Sequence, residues 1–276
     1  MKNFLVEKEI KLSKFLLEKY DGEISYSTVQ RLIRNKDVKV DGKRVGSDVK
    51  LLVGNLVDVY YDGNDSLKNF EVIFNEKGVL VVYKPAGVTV EKFEEIIREK
   101  FEGATLCHRL DRNTSGLIVL ACEKPAEVEL LKAFKNRTIK KEYLCEVYGK
   151  MKNRSDTLTA YLKKDEKLSR VFITNKKEDG YVKIITEYKV IKELENSSIL
   201  SVNLITGKTH QIRAHLAHVG NQIIGDGKYG KNEVNDKFKA KTQRLTAYKL
   251  TFSFDKESPL YSLNNKVVEL NKEFWN

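Results

Sequence analysis

Sulfur and proline are scarce in this 276-residue chain, which has three cysteines (Cys107, Cys122, Cys145), three prolines and one tryptophan. The cysteines form no C-x-x-C pair and their number is odd. That suggests no disulfide framework and a reducing compartment, the cytoplasm. No apolar run is long enough to span a bilayer. The first residues meet acid at Glu7 after a few apolar positions, so a signal peptide is not expected. Neither a nucleophile elbow G-x-S-x-G nor a complete phosphate-binding loop occurs. Thr206-Gly207-Lys208-Thr209 ends like the latter but lacks its earlier glycine. The four histidines, His108, His210, His215 and His218, match no standard zinc spacing, so no metal is expected.

Charge is abundant. The net charge is +11, which suggests a polyanionic partner, nucleic acid first, although a lysine-rich surface alone would give the same figure. Hydrophobic residues make up 41%, enough for the cores of one large and one small domain.

The segment Cys107-His108-Arg109-Leu110-Asp111-Arg112-Asn113-Thr114-Ser115-Gly116 holds a carboxylate between two guanidiniums. It leads into Leu117-Ile118-Val119-Leu120-Ala121, which is short, branched and uncharged and reads as a strand buried on both faces. An aspartate at the mouth of such a strand would be held in place by its cationic neighbours. On these residues alone a charged surface loop with ion pairs is an equal reading.

Residues 1–62 read as a separate unit. Leu12, Phe15 and Leu16 have helical spacing, with Asp21-Gly22 as the stop. A second helix begins near Ser27, with Ser25 or Ser27 as cap. Val38 to Val45 alternates around Asp41-Gly42, a hairpin signal, and strands at 51–60 close the unit. Residues 63–70 read as the linker and 71–276 as the main domain. There, 70–74 and 79–83 are expected strands around a turn at 75–78. Lys84-Pro85-Ala86-Gly87 reads as a turn that stops the second strand. A helix is expected over 94–101. Pro125 opens another, with Val128, Leu131 and Phe134 as its apolar face and a basic run at its end. Residues 142–149 form a strand with Tyr143, Cys145 and Val147 on one face. Between 150 and 199 short strands alternate with exposed turns at 163–167 and 176–180. Thr206 to Arg213 leads into a helix with Ile212, Leu216 and Val219 on one face, and 244–252 is a final strand.

The motif H-R-L-D-R-x-T-S-G-L over His108–Leu117 resembles the catalytic motif of the RluA-type pseudouridine synthases. Lys84–Gly87, Lys141-Glu142-Tyr143, Thr206–Arg213 (T-G-K-T-H-Q-I-R) and Gly225–Gly230 (G-D-x-x-Y-G) resemble further motifs of that family. Lys208 stands where the family more often has arginine, and Val88 to Glu91 occupy a stretch where it usually places a histidine. The two helices and the V-x-V-D-G hairpin of the first unit are similar to the S4 RNA-binding module.

The resemblance implies an α+β fold with a largely antiparallel mixed sheet, a central catalytic cleft and a small N-terminal S4-like domain. It implies isomerisation of uridine to pseudouridine in structured RNA, large-subunit ribosomal RNA first and tRNA second. Asp111 would be the catalytic carboxylate, acting at C1′, C6 or C2′. Arg213 would pair with it, Tyr143 would stack on the flipped base, and Arg109 would fill the gap left in the RNA. Arg31, Arg34, Lys36, Lys39, Lys43, Arg44 and Lys208 would contact RNA. The isomerisation conserves atoms, so no cofactor is required; a monomer is expected. The rivals are a catalytically silent S4-type RNA-binding or ribosome-assembly factor and a glycosidase that releases uracil.

Overall fold

The computed structural model describes residues 2–20, 24, 26–61 and 70–271. They fall into two compact units, Met1–Asn69 and Phe70–Asn276. Residues 63–69 of the expected linker lie outside the described residues. So do the helix stop Asp21-Gly22, the candidate cap Ser25 and the side chain of Ser27.

In the first unit β1 (Lys2–Leu5) and β2 (Ile10–Lys11) precede α1 (Leu12–Lys19) and α2 (Tyr26–Arg34). Then come β3 (Val38–Val40), β4 (Lys43–Arg44), β5 (Lys50–Leu51) and β6 (Leu56–Val59). The sheet order is β1-β6-β3-β4, all antiparallel, with β2 and β5 paired separately. Leu12, Phe15 and Leu16 are buried with Val29, Leu32 and Ile33 of α2 against Val57 and Val59. Asp41 and Gly42 both have positive φ, as the two-residue hairpin demands. The start of α1 is capped from afar: the Ser13 amide and hydroxyl donate to the Asp48 carboxylate at 2.8 and 2.7 Å.

The second unit runs β7 (Val72–Glu76), β8 (Val79–Lys84), α3 (Val90–Arg98), β9 (Thr105–Leu106), β10 (Ser115–Ala121) and α4 (Lys124–Asn136). It continues through β11 (Lys140–Tyr148), β12 (Ser155–Asp165), β13 (Arg170–Thr174), β14 (Val182–Glu193) and β15 (Ser197–Leu204). It ends with α5 (Gln211–His218), α6 (Asn232–Lys237), β16 (Leu245–Thr251) and β17 (Val267–Glu269). Among the described residues eleven strands form one mixed sheet, with the path β13-β12-β14-β15-β11-β16-β10-β8-β7. Its one parallel pair is β10 with β16. Leu117 to Leu120 are wholly buried on both faces of β10. Truncating any of them to Ala would cost about 2–5 kcal/mol.

Several sequence expectations are corrected. The turn after β7 is only Lys77-Gly78, both at positive φ. Helix α3 starts at Val90 because Thr89 accepts a hydrogen bond from the Lys92 amide and caps it. On α4 the buried residues are Ala126, Leu130 and Ala133, while Val128 and Leu131 are exposed. Ala126 and Ala133 let the helix approach the sheet closely around Leu130, so Val128 and Leu131 face outward, while Phe134 is half-buried against the core. Strands β12 and β14 are long, and Lys163, Lys164 and Asp165 belong to β12 rather than to a turn. Val219 is exposed just past the end of α5.

Candidate active site

The Asp111 loop lies between β9 and β10 and is tied down at both ends. Beyond it, the Thr114 hydroxyl accepts from Gln243 Nε2 at 2.7 Å and Ser115 Oγ lies 2.8 Å from Thr246 Oγ1, which docks the loop on β16. Gly116 follows with φ +119°. A Cβ there would lie 2.2 Å from the Ala247 carbonyl oxygen, so only glycine allows this pairing. Before the aspartate, His108 Nε2 accepts from the Val119 amide at 3.0 Å, and its ring stacks on Phe134. Burial holds this imidazole neutral, at about 3.

Lys84 is more than a strand stop. Its side chain is wholly buried, and Nζ donates to the carbonyls of Pro85, Val88 and Arg112 at 2.9, 2.9 and 3.1 Å. The Gly87 amide donates to the Arg112 carbonyl, and Arg112 Nε donates back to the Gly87 carbonyl, both at 2.9 Å. The two loops are thus clamped together. Burial lowers the Lys84 pKa to about 8, against the upward pull of the Asp111 carboxylate.

Arg213 reaches Asp111 from α5, 102 residues away in sequence. Its Nη1 donates to Asp111 Oδ2 at 3.0 Å. Its Nε and Nη2 donate to Asp226 Oδ2 and Oδ1 at 2.7 and 2.9 Å. One buried guanidinium therefore bridges two carboxylates. Asp226 is itself 1% exposed and also accepts from the amides of Lys228 and Tyr229 at 2.8 and 3.0 Å. Burial opposes its charge, but Arg213 and the two amides outweigh burial and hold its pKa below the usual carboxylate value. In the same way these carboxylates outweigh burial and raise the Arg213 pKa. In the sequence Asp226 stands out only as the acid of the G-D-x-x-Y-G motif. The signal was there: an acid in a glycine-flanked motif, within reach of a basic motif.

Asp111 opens onto a cavity of about 720 Å³ lined also by Arg109, Tyr143, Lys208, His210 and Arg213. Tyr143, on β11, is buried, and burial pushes its phenol pKa up, with the Asp111 carboxylate adding to the shift. Among the described residues Asp111 Oδ2 has the Arg213 bond, and no hydrogen bond reaches Oδ1. Arg109 is largely exposed at the rim and paired with Glu91 at 2.8 Å. Lys208 is exposed at the rim, and its amide donates to Gln211 Oε1.

The remaining candidates lie in the first unit. Lys39 and Arg44 each lie over the Tyr60 ring at 5.2 Å, and Arg44 donates to the Lys36 carbonyl, so these three are brought together. Lys43 is exposed beside them on β4, and Arg31 and Arg34 occupy the last turn of α2.

The model of the RNA pseudouridylate synthase family matches residues 78–218, which include Asp111, Tyr143 and Arg213. The chain belongs to this family. It is 32% identical over 230 residues to an uncharacterized RNA pseudouridine synthase of Helicobacter pylori, covering 82% of this chain and 88% of that one. It is 29% identical over 233 residues to the ribosomal large subunit pseudouridine synthase C of Vibrio parahaemolyticus, covering 75% and 73%. Among solved structures, human RNA pseudouridylate synthase domain containing 1 superposes with a TM-score of 0.62 at 25% identity, covering 69% of this chain and 81% of that one. As an RNA pseudouridine synthase the chain is an isomerase. The Arg213–Asp111 pair therefore lies within the matched segment of a pseudouridine synthase, while Asp226 lies just beyond it.

Proposed function

We propose that this enzyme isomerises specific uridines of large-subunit ribosomal RNA, with Asp111 as the catalytic carboxylate acting on a flipped-out nucleotide. The observation that carries the reading is the 3.0 Å Arg213–Asp111 ion pair at the wall of a cavity also lined by Tyr143. The relative named a ribosomal large subunit synthase supports the choice of RNA.

Pseudouridine formation breaks the N1–C1′ bond, turns the uracil and rejoins it to C1′ through C5, with release of the C5 proton. Arg213 fixes Oδ2 and so leaves Oδ1 as the oxygen that acts on the nucleotide's reacting atoms. Extruding the uridine costs a few kcal/mol. Stacking on Tyr143 returns roughly 1–3 kcal/mol. Arg109 fills the vacated place in the RNA; it must leave Glu91, and an exposed pair of this kind holds it by only about 0–1 kcal/mol. The first unit serves as an S4-like RNA-binding domain, with the basic groups around Tyr60 and the end of α2 on phosphates, and Lys208 contacts RNA at the cavity rim. The reaction takes place in the cytoplasm.

Mapping pseudouridines in total RNA from cells with and without the gene tests this reading. Loss of one or more sites in large-subunit ribosomal RNA is expected. An unchanged ribosomal map would overturn the choice of substrate.

A further inference from the structure

His210 precedes α5 in a left-handed conformation, φ 54° and ψ 17°, and no side-chain hydrogen bond caps the helix there. Such a backbone costs a residue with a Cβ on the order of 1 kcal/mol and points to a demand on the side chain. That side chain has two neighbours. Its Nδ1 lies 2.8 Å from the Tyr229 hydroxyl, and its Nε2 lies 3.9 Å from Asp111 Oδ2, at the cavity wall.

The Tyr229 hydroxyl accepts from the Val171 amide at 2.9 Å. Its own proton is thereby directed to His210 Nδ1. Nδ1 is then the acceptor, and in the neutral ring Nε2 carries the hydrogen. Tyr229 is itself held: its amide donates to Asp226 Oδ1, and its ring lies 5.2 Å from the guanidinium carbons of both Arg213 and Arg170. The tautomer of His210 and the anchoring of Asp111 therefore depend on the same buried aspartate. Burial favours the neutral imidazole, with Arg213 and Lys228 acting in the same direction against Asp111 and Asp226.

At 3.9 Å the Nε2–H does not bond to Asp111 directly. The donor and the carboxylate instead frame a place for a third group that accepts from one and donates to the other. A uracil carbonyl only accepts, and the uracil N3–H only donates. A ribose hydroxyl does both.

We propose that His210 and Asp111 form a hydroxyl subsite for the ribose 2′-OH of the target nucleotide, with Tyr229 as the positioning residue that sets the imidazole tautomer. This rests on the nucleotide lying against Asp111. The 2′-OH distinguishes RNA from DNA, so the subsite makes the enzyme an RNA reader at the reacting nucleotide itself.

The test uses the full-length enzyme and a synthetic RNA hairpin containing the uridine identified by mapping, with 2′-OH or 2′-deoxy at that one position. Single-turnover pseudouridine formation is measured. Wild type is expected to be roughly 10–100-fold slower on the 2′-deoxy hairpin. His210→Gly suits the left-handed backbone and so keeps the fold, as its melting temperature checks. It should slow the 2′-OH hairpin by a similar factor and discriminate less than about threefold between the two RNAs. His210→Gln, which retains an N–H donor, should recover most of the discrimination, and Tyr229→Phe should lose part of it. Wild type treating both hairpins alike, or His210→Gly keeping full discrimination, would overturn the subsite. A wild type inert even on the 2′-OH hairpin would instead overturn the function on which the subsite rests.

Discussion

Replacing Asp226 by Asn removes one negative charge from the centre of the site and leaves the shape nearly unchanged. In the native chain the Asp226 carboxylate accepts four hydrogen bonds, two from Arg213 and two from the amides of Lys228 and Tyr229. Asparagine keeps one oxygen acceptor and sets an amide N–H₂ against cationic or N–H donors. Breaking a buried pair from one side costs about 3–5 kcal/mol, because the other charge is left uncompensated. Here Asp111 remains as a partner for Arg213, so the lower end, about 3 kcal/mol, is expected. For a unit of this size that lowers the melting temperature by roughly 10 °C. With one of its two anchors weakened, Arg213 should hold Asp111 less firmly, and the single-turnover rate should fall about 100-fold. RNA affinity should stay within several-fold, because Asp226 is buried and offers no surface for a phosphate or base to touch. The assays are thermal melting, single-turnover pseudouridine formation and filter binding. A variant that melts and reacts like wild type would refute the shared-guanidinium argument. One that melts lower but reacts normally would show that Asp226 supports the fold alone.

Three further outcomes follow from the geometry. Gly116→Ala should destabilise the fold by several kcal/mol, because its Cβ would clash with the Ala247 carbonyl in the β10–β16 pair; thermal or urea unfolding reads this. Burial lowers the pKa of His215 to about 4 from the ordinary 6.5, so the unfolded chain binds its proton more readily. Stability should thus be insensitive to this group above pH 6.5 and fall by about 1.4 kcal/mol per pH unit between 6.5 and 4, a slope that His215→Gln should reduce in pH-dependent melting. Substituting Arg34, Lys39 and Arg44 by Ala together should weaken RNA binding and reduce the slope of log K against log salt by about 2–3, with the isomerisation rate at saturating RNA unchanged.

What could be read in the sequence was local. Strand β10 announced itself because an uncharged branched run has few other places to go. Asp41-Gly42 gave its hairpin because positive φ at both positions is rare outside such turns. What escaped was decided at long range. No periodicity shows that α4 buries its alanines, since that depends on how closely the sheet lets it approach. Lys84 looks like an exposed strand end until Val88 and Arg112 bring their carbonyls to it. Asp226 and Tyr229 take their importance from Arg213 and His210, which precede them on α5 and at its start. The placing of Arg213 opposite Asp111 came from family resemblance, because no spacing rule links residues 102 apart.

In the proposed mechanism the Asp111 carboxylate performs the isomerisation. Because C5–H is replaced by C5–C1′, tritium at C5 of uridine is released to water as the reaction proceeds. The direct measurement is tritium release from 5-tritiated large-subunit ribosomal RNA transcript by Asp111→Ala, beside a binding titration of the same variant. Release is expected to be abolished, with RNA affinity within several-fold of wild type. Release at the wild-type rate would show that another group carries out the chemistry.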